Sequence, residues 1–434
     1  MKTDSRELAF PPNFLWGTAT ASHQVEGGNA NNDWWDWEQQ VGHIRDGTSS
    51  GRACDHYHLF RQDFELLASL SQNAHRLSLE WSRIEPTPGQ FDHDAIRHYR
   101  EVLEYLRRFG IEPVVTLHHF TNPRWLSDAG GWETELVVDR FASYVSRAVE
   151  EFGDLVKYWV TVNEPIIYGT MGYLAAAWPP GKRNPLLFIR VVQNLLRGHA
   201  RAAQIIHQRS PRSDVQVGVA HHLRVFDPYR RSVPGDYFVA RFAEAIFNRA
   251  VLRSITDGCF HFPFGWGAIF GGDPIADFIG LNYYSREMAT LDFRRPRSFF
   301  GSYFAHPKRP KTSAGWEIYP EGVYRLLKYL AKLGKPILIT ENGVADEEDE
   351  LRPAFLISHL AEIHRAIREG APVQGYFHWS SLDNFEWAEG RRLRFGLIHV
   401  DYDTLKRTVK PSGELYGQIC AAGGLSAKML KAYP

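Results

Sequence analysis

Cysteine is almost missing from this chain: three in 434 residues, at Cys54, Cys259 and Cys420. That is too few for a disulfide framework, and their spacing suits no metal site. Each reads as a small hydrophobe. An excess of either charge is missing as well. Lysine plus arginine and aspartate plus glutamate both number 50, so nothing pulls the chain as a whole towards nucleic acid or an anionic membrane. No uncharged apolar run approaches about 18 residues, and no membrane span is expected. The opening MKTDSRELAFPPNF has no apolar signal-peptide core, and the expected location is the cytoplasm. There is no GxGxxG turn and no Walker-type loop; GTATASHQVEGG has glycines at the wrong spacing. Low-complexity linkers are not found either.

Aromatics, by contrast, are plentiful, with 13 Trp, 19 Tyr and 27 Phe. Core packing accounts for many of them, and a groove for a flat apolar ligand face would account for others. Eight segments read as strands: 14–22, 73–81, 111–120, 156–165, 215–223, 276–284, 335–343 and 372–380. Helical patterns lie between several of them, such as AIRHYREVLEYLRRFG and ELVVDRFASYVSRAVEEFG, each ending in a glycine that would serve as a C-cap. Repeated strand–helix units imply a parallel sheet with helices outside. Eight of them imply one (β/α)8 TIM barrel over residues 1–434 with extended βα loops. An open doubly wound sheet would want the phosphate-binding glycine turn that is missing. The stretch 291–315, rich in Pro, Gly and Arg, reads as a long loop, as does WPPGKRNP at 178–185.

Most of the strand segments begin apolar and end polar or aromatic. VVTL runs into His118 and His119, YWVTV into Asn163 and Glu164, FIGL into Asn282, Tyr283 and Tyr284, ILIT into Glu341, and VQGYF into His378 and Trp379. In a barrel all these ends meet on one face, where such folds place their chemistry. Glu164 and Glu341 would then share one pocket. Two glutamates across an aromatic-walled pocket are the minimum for glycoside hydrolysis, with repulsion and burial separating their pKa values. Arg76 and Tyr284 could hold one of them ionised. Taken singly, each has a plainer reading: Glu341 as a rim ion pair, Arg76 as a structural partner. His118 and His119 are adjacent on a strand and point to opposite faces. His56 and His58 have strand-compatible spacing but no evident third ligand. No metal is expected. ADEEDELR reads as a solvated loop.

Together these segments resemble glycoside hydrolase family 1, the β-glucosidase-like retaining enzymes. The resemblance runs from FPPNFLWGTATASHQVEGG through RLSLEWSRIEP, TLHHFTNPRWL, TVNEP, GLNYYS, ITENG and HWSSLDNFEWAEG to FGLIHVDYDTLKRTVKPS. It implies Glu164 as general acid/base and Glu341 as nucleophile, with carboxyls about 5–5.5 Å apart. Gln24, His119, Asn163, Glu386 and Trp387 match the binders of the non-reducing sugar, Trp379 the platform beneath it, and Phe395 a wall at its outer end. Asn282 and Tyr284 match the pair near the nucleophile, and Arg76 its arginine neighbour. The implied substrates are small neutral β-glycosides or oligosaccharides, with no cofactor, and the family occurs both as monomers and as homo-oligomers. Glu386 stands where 6-phosphoglycosidases have a small hydroxyl residue, and its charge would repel phosphate. Ile166 stands where many relatives have Trp, leaving Trp178 as a substitute for stacking on the leaving group. Arg391 and Arg392 read as a solvated rim. Three rival readings stay open: a 6-phospho-β-glycosidase, a transglycosylase using the same glycosyl-enzyme, and a non-catalytic carbohydrate-binding protein.

Overall fold

A computed structural model describes residues 7–273, 275–295 and 300–433. Eight parallel strands close into a barrel: β1 (Leu15–Ala19), β2 (Ala74–Ser78), β3 (Glu112–His118), β4 (Tyr158–Asn163), β5 (Gln216–His222), β6 (Phe278–Asn282), β7 (Ile337–Asn342) and β8 (Val373–Trp379). Each pairs with its sequence neighbours, and β8 returns to β1 with Gly375 opposite Leu15 and Trp379 opposite Ala19. Each expected strand segment contains one of them. The strands are buried almost throughout, as a barrel packed inside and covered outside requires.

The outer layer is α1 (His56–Ser69), α2 (His93–Arg108), α3 (Leu136–Phe152), α4 (Pro185–Arg209), α5 (Val251–Asp257), α6 (Pro320–Leu330), α7 (Arg352–Arg368) and α8 (Pro411–Ala422). Helix α2 shows why such segments are helical. Asp92 caps it by accepting from the amides of Asp94 and Ala95. Ala95, Ile96, Tyr99, Val102, Leu103 and Leu106 then form one buried stripe, and Arg107 and Arg108 oppose the dipole in the last turn. Gly110 has φ +69, the left-handed residue expected there. Gly153 differs. Its φ is −62 and its amide bonds Val149 at 2.9 Å, so it continues the helical ladder instead of reversing it.

Several expectations need correcting. His56 and His58 begin α1 and are not on a strand. His56 bonds Asp63 at 2.7 Å and His58 bonds Asp55 at 2.6 Å. The stretch 291–315 is only partly loop. Strand Gly301–Phe304 pairs with Arg286–Leu291, which also pairs with Val225–Pro228; a hairpin consumes residues that composition marks as irregular. Residues 296–299 of that stretch, like Met1 to Arg6, lie outside the described residues. The acidic segment after β7 is not all solvated. Asp346 is buried and accepts from the amides of Leu351 and Arg352, capping α7. Arg391 lies 4.7 Å over the Tyr402 ring, and Arg392 pairs with Glu389, so both are pinned. Cys54, Cys259 and Cys420 are unpaired. No helix among the described residues is long and apolar enough to cross a membrane.

One buried ion pair ties the end of the chain to its start. Arg407 reaches Asp63 with two bonds, at 2.7 and 3.0 Å, and donates to the Cys54 carbonyl at 2.6 Å. Burial works to raise the Asp63 carboxyl, but its bonds from His56 and Arg407 outweigh this and hold it below the usual range. This stabilisation is therefore present above the unfolded aspartate pKa and is lost as pH falls through the folded value. Asp63→Ala strands a buried guanidinium and is expected to cost about 3–5 kcal/mol, read by urea unfolding near neutral pH.

Candidate active site

The C-terminal ends of the strands surround a cavity of about 350 Å³. Nine of the twelve site residues expected from sequence line it: His119, Asn163, Glu164, Tyr284, Glu341, Trp379, Glu386, Trp387 and Phe395. Arg76, Gln24 and Asn282 stand directly behind. Each is fully buried, at 0% exposure. Arg76 sits in the middle of β2.

Local irregularity aims the two carboxylates. The ladders β4–β5, β6–β7 and β7–β8 shift register near their C-terminal ends, after Val160, Leu281 and Ile339. Such bulges re-aim side chains at barrel rims. The second shift sets Glu341 opposite Asn282. Glu164 leaves β4 at φ +46, its amide bonded to the Ala220 carbonyl at 2.7 Å. Pro165 then starts helix Pro165–Tyr173. A non-glycine residue held there stores roughly 1–3 kcal/mol of strain. Gly343 is needed for close approach, since a Cβ would lie 1.9 Å from the Trp379 carbonyl oxygen.

The carboxylates have different partners. Glu341 accepts from Arg76 Nη1 at 2.5 Å and from the Tyr284 hydroxyl at 2.6 Å. Arg76 also donates to Asn163 Oδ1 at 2.7 Å and to Thr116 at 3.0 Å. Glu164 Oε1 accepts from Asn282 Nδ2 at 2.8 Å and from His222 Nδ1 at 3.0 Å. Asn282 itself is held by Thr340 at 2.7 Å. Burial keeps the Tyr284 hydroxyl well above the usual tyrosine range, so it stays a donor.

Burial pushes Glu341 up to about 7 against the pull of Arg76, with the Glu164 charge adding to the rise. Burial also works to raise Glu164, but a charged His222 and the bond from Asn282 would bring it below its ordinary value. That pull requires an imidazolium. Burial lowers His222 below the ordinary imidazole value despite Glu164, and its Nε2 accepts from Arg224 Nε at 3.1 Å. Arginine only donates, so His222 is neutral and protonated on Nδ1. The pair of glutamates therefore shares one proton near neutrality, with the lasting positive charge beside Glu341.

At the other end, Gln24 Nε2 donates to Asn384 Oδ1 at 3.0 Å, the Phe385 carbonyl at 2.8 Å and Glu386 Oε2 at 3.3 Å. His119 Nε2 meets Asn163 Nδ2 at 3.1 Å, so its hydrogen is on Nδ1. Gln24 Oε1 and His119 Nδ1 are buried without a hydrogen-bond partner among the described residues. They are one acceptor and one donor, each costing about 1–3 kcal/mol if left unmet. Burial, opposed by a bond from Trp379 and aided by Glu341, pushes Glu386 up to about 8. A charge on Glu386 is therefore costly in this cavity. His119 stacks between Trp379 and Trp387, at 5.9 and 6.1 Å. Trp178 lines the cavity and packs 4.8 Å from Phe120, whereas Ile166 is buried outside the lining.

Sequence reading missed His222, Arg224 and Trp316, which also line the cavity. HHLR at 221–224 does end a strand segment, which is the one signal that could have pointed to the first two.

The chain matches the profile "Glycosyl hydrolase family 1" over residues 6–264 and 273–425. It is 36% identical to Beta-glucosidase A of Thermotoga maritima, covering 96% of this chain and 98% of that protein. Among solved structures, it is similar to the beta-glycosidase from Pyrococcus horikoshii, with TM-score 0.92, 40% identity and 98% of each chain covered. It is also similar to a Thermotoga maritima beta-glucosidase in complex with glucoimidazole, with TM-score 0.91, 35% identity, and 96% and 100% covered. The chain belongs to glycosyl hydrolase family 1.

Proposed function

We propose that the chain works as one catalytic domain, a retaining, exo-acting β-glycosidase that releases a non-reducing terminal neutral sugar, glucose first, from oligosaccharides or aryl and alkyl glycosides. The observation that carries this is the unequal pairing of two carboxyls in one cavity. Arg76 is charged at every relevant pH and touches Glu341, whereas Glu164 faces only neutral donors. Charge thus rests on Glu341 and the proton on Glu164. Once Glu164 is neutral its repulsion disappears, and Glu341 ionises more easily.

Glu341 attacks the anomeric carbon as Glu164 protonates the departing oxygen, leaving an α-linked glycosyl-enzyme. Glu164, now a base, deprotonates water for a second inversion, and the β configuration returns. The Glu341 charge also stabilises the oxocarbenium-like transition states, helped by a fixed site that need not reorganise. Trp379 offers an apolar platform. Gln24 Oε1 and His119 Nδ1–H supply an acceptor and a donor, and Glu386 adds a carboxyl to the set. Asn163 completes the set nearest the reacting carbon. Hydroxyl epimers are rejected strongly only where one of these groups is left unpaired, so galactosides and fucosides are expected substrates too. The glucoimidazole bound by the Thermotoga maritima relative supports a glucose-sized pocket. Three unpaired cysteines suit a reducing compartment such as the cytoplasm.

A 6-phosphate would lose its water without gaining a cation. Among the described lining residues only Arg224 is cationic, and it is already paired with Glu287 at 3.0 Å. Aryl β-glucoside is expected to be cleaved at least about 10²-fold faster in kcat/KM than its 6-phosphate, a difference of roughly 3 kcal/mol. The same assay followed by proton NMR shows β-glucose as first product. A first product of α configuration would overturn the double displacement.

A further inference from the structure

His222 and Arg224 hold no role in the reaction as described so far, yet they form an ordered chain ending on Glu164. His222 Nδ1 is 3.0 Å from Glu164 Oε1, and Arg224 Nε is 3.1 Å from His222 Nε2. The arginine is itself held in place. Its amide donates to Asn248 Oδ1 at 3.2 Å, its carbonyl accepts from Asn248 Nδ2 at 2.7 Å, Glu287 takes Nη1 at 3.0 Å, and the guanidinium lies 5.3 Å over the Phe247 ring. The imidazole is 5% exposed and is boxed by Tyr284, stacked at 5.7 Å, and Phe247, edge-on at 5.8 Å. The polar groups facing it are Glu164, Arg224, the Tyr284 hydroxyl and neighbouring His221, with Arg76 and Glu341 beyond Glu164.

We infer that Arg224 and His222 are positioning residues that keep a neutral N–H donor, and never a cation, against Glu164, so that Glu164 retains its transferable proton and carries it on Oε2. This rests on the proposed role of Glu164 as acid/base. Arg224 occupies the Nε2 lone pair and repels a second charge, so the ring cannot become imidazolium. An imidazolium at Nδ1 would take over the proton that Glu164 must give. Oε1 already accepts from both Asn282 Nδ2 and His222 Nδ1, so two N–H groups exclude a hydrogen from that atom. Oε2 has no hydrogen-bond partner among the described residues. In the first step the Oε2–H bond breaks and its proton moves to the glycosidic oxygen. That oxygen keeps the electron pair of the breaking bond to the anomeric carbon, while the electrons of the O–H bond stay on Glu164. The two donors on Oε1 then hold the new carboxylate.

The test compares kcat/KM against pH for phenyl and 2,4-dinitrophenyl β-glucosides in wild type, Arg224→Met, His222→Leu, His222→Asn and Glu164→Gln. In Arg224→Met the proton moves from Glu164 to His222 without leaving the pair. The phenyl plateau is expected to fall about tenfold and the alkaline limb to move up, while the dinitrophenyl rate, needing no proton, changes by less than about twofold. Nitrogen NMR of 15N-histidine, with the His222 signal assigned by its loss in His222→Asn, is expected to show a neutral Nδ1–H ring in wild type and an imidazolium in Arg224→Met. His222→Leu is expected to shift the alkaline limb up, because the Glu164 anion loses a donor. His222→Asn keeps an N–H near the Nδ1 position and is expected to stay within about threefold of wild type. If His222→Leu does not fold, His222→Gln, whose amide sits nearer the Nε2 position, carries the same expectation. Unchanged alkaline limbs in folded Arg224→Met and His222→Leu (or His222→Gln), with an unchanged phenyl plateau in Arg224→Met, beside a crippled Glu164→Gln, would overturn this inference alone. Wild-type phenyl activity in Glu164→Gln would overturn the acid/base reading beneath it.

Discussion

Glu341→Ala abolishes hydrolysis of aryl β-glucosides, with an expected loss of about four to six orders of magnitude in kcat, the scale reached when a covalent nucleophile is removed. Alanine leaves a gap beside Arg76 and Tyr284, and no neighbouring carboxyl reaches their two donors. Azide is small and anionic and fits the place from which the carboxylate attacked. It restores part of the rate, and because only one inversion then occurs, the product is the α-glycosyl azide. The check is rate and product anomer by NMR. Ordinary turnover without azide, or a β-glycosyl azide, would remove Glu341 from the nucleophile's position. In wild type, a 2-fluoro sugar with a good leaving group should give a stoichiometric burst, since the glycosyl-enzyme forms and then persists.

Removal of Glu164 acts differently, because its two tasks weigh differently on different substrates. Glu164→Ala is expected to lower kcat/KM for phenyl β-glucoside by about 10²–10⁴, the usual contribution of a positioned acid. A dinitrophenyl leaving group needs little protonation and should lose less than about tenfold. The glycosyl-enzyme then waits for a base that is gone, so a burst precedes slow turnover. Azide needs no base and should release the sugar as the β-glycosyl azide, the opposite anomer to that from Glu341→Ala. Equal losses on good and poor leaving groups would count against Glu164 as the acid. The two substitutions thus separate the roles by stereochemistry and not by size of effect alone.

The barrel was legible because its signals are local. Alternating strand and helix patterns need only neighbouring residues to be read, and each of the eight expected strand segments holds a strand of the closed sheet. The errors fall where a distant partner overrides local chemistry. Gly301–Phe304 pairs with Arg286–Leu291 although its surroundings look irregular, and Arg391 is held by Tyr402 although paired arginines look solvated. Gly153 keeps a right-handed backbone where its position suggested a reversal.

Glu164, Glu341, Asn163, Asn282 and Trp379 could be named from the chain because a strand running from apolar to polar marks its own end. Burial, ionisation and tautomer could not, since each depends on atoms brought together from remote segments. Arg76 joins β2 to Glu341 of β7, and Arg224 settles which nitrogen of His222 bears hydrogen. Glu386 looked like an ordinary carboxylate in sequence, yet burial beside two other glutamates pushes it up to about 8. Covalent order along the chain dictates periodicity and residue chemistry. Electric fields and solvent access belong to the folded arrangement, because they fall off with distance through space and not along the backbone.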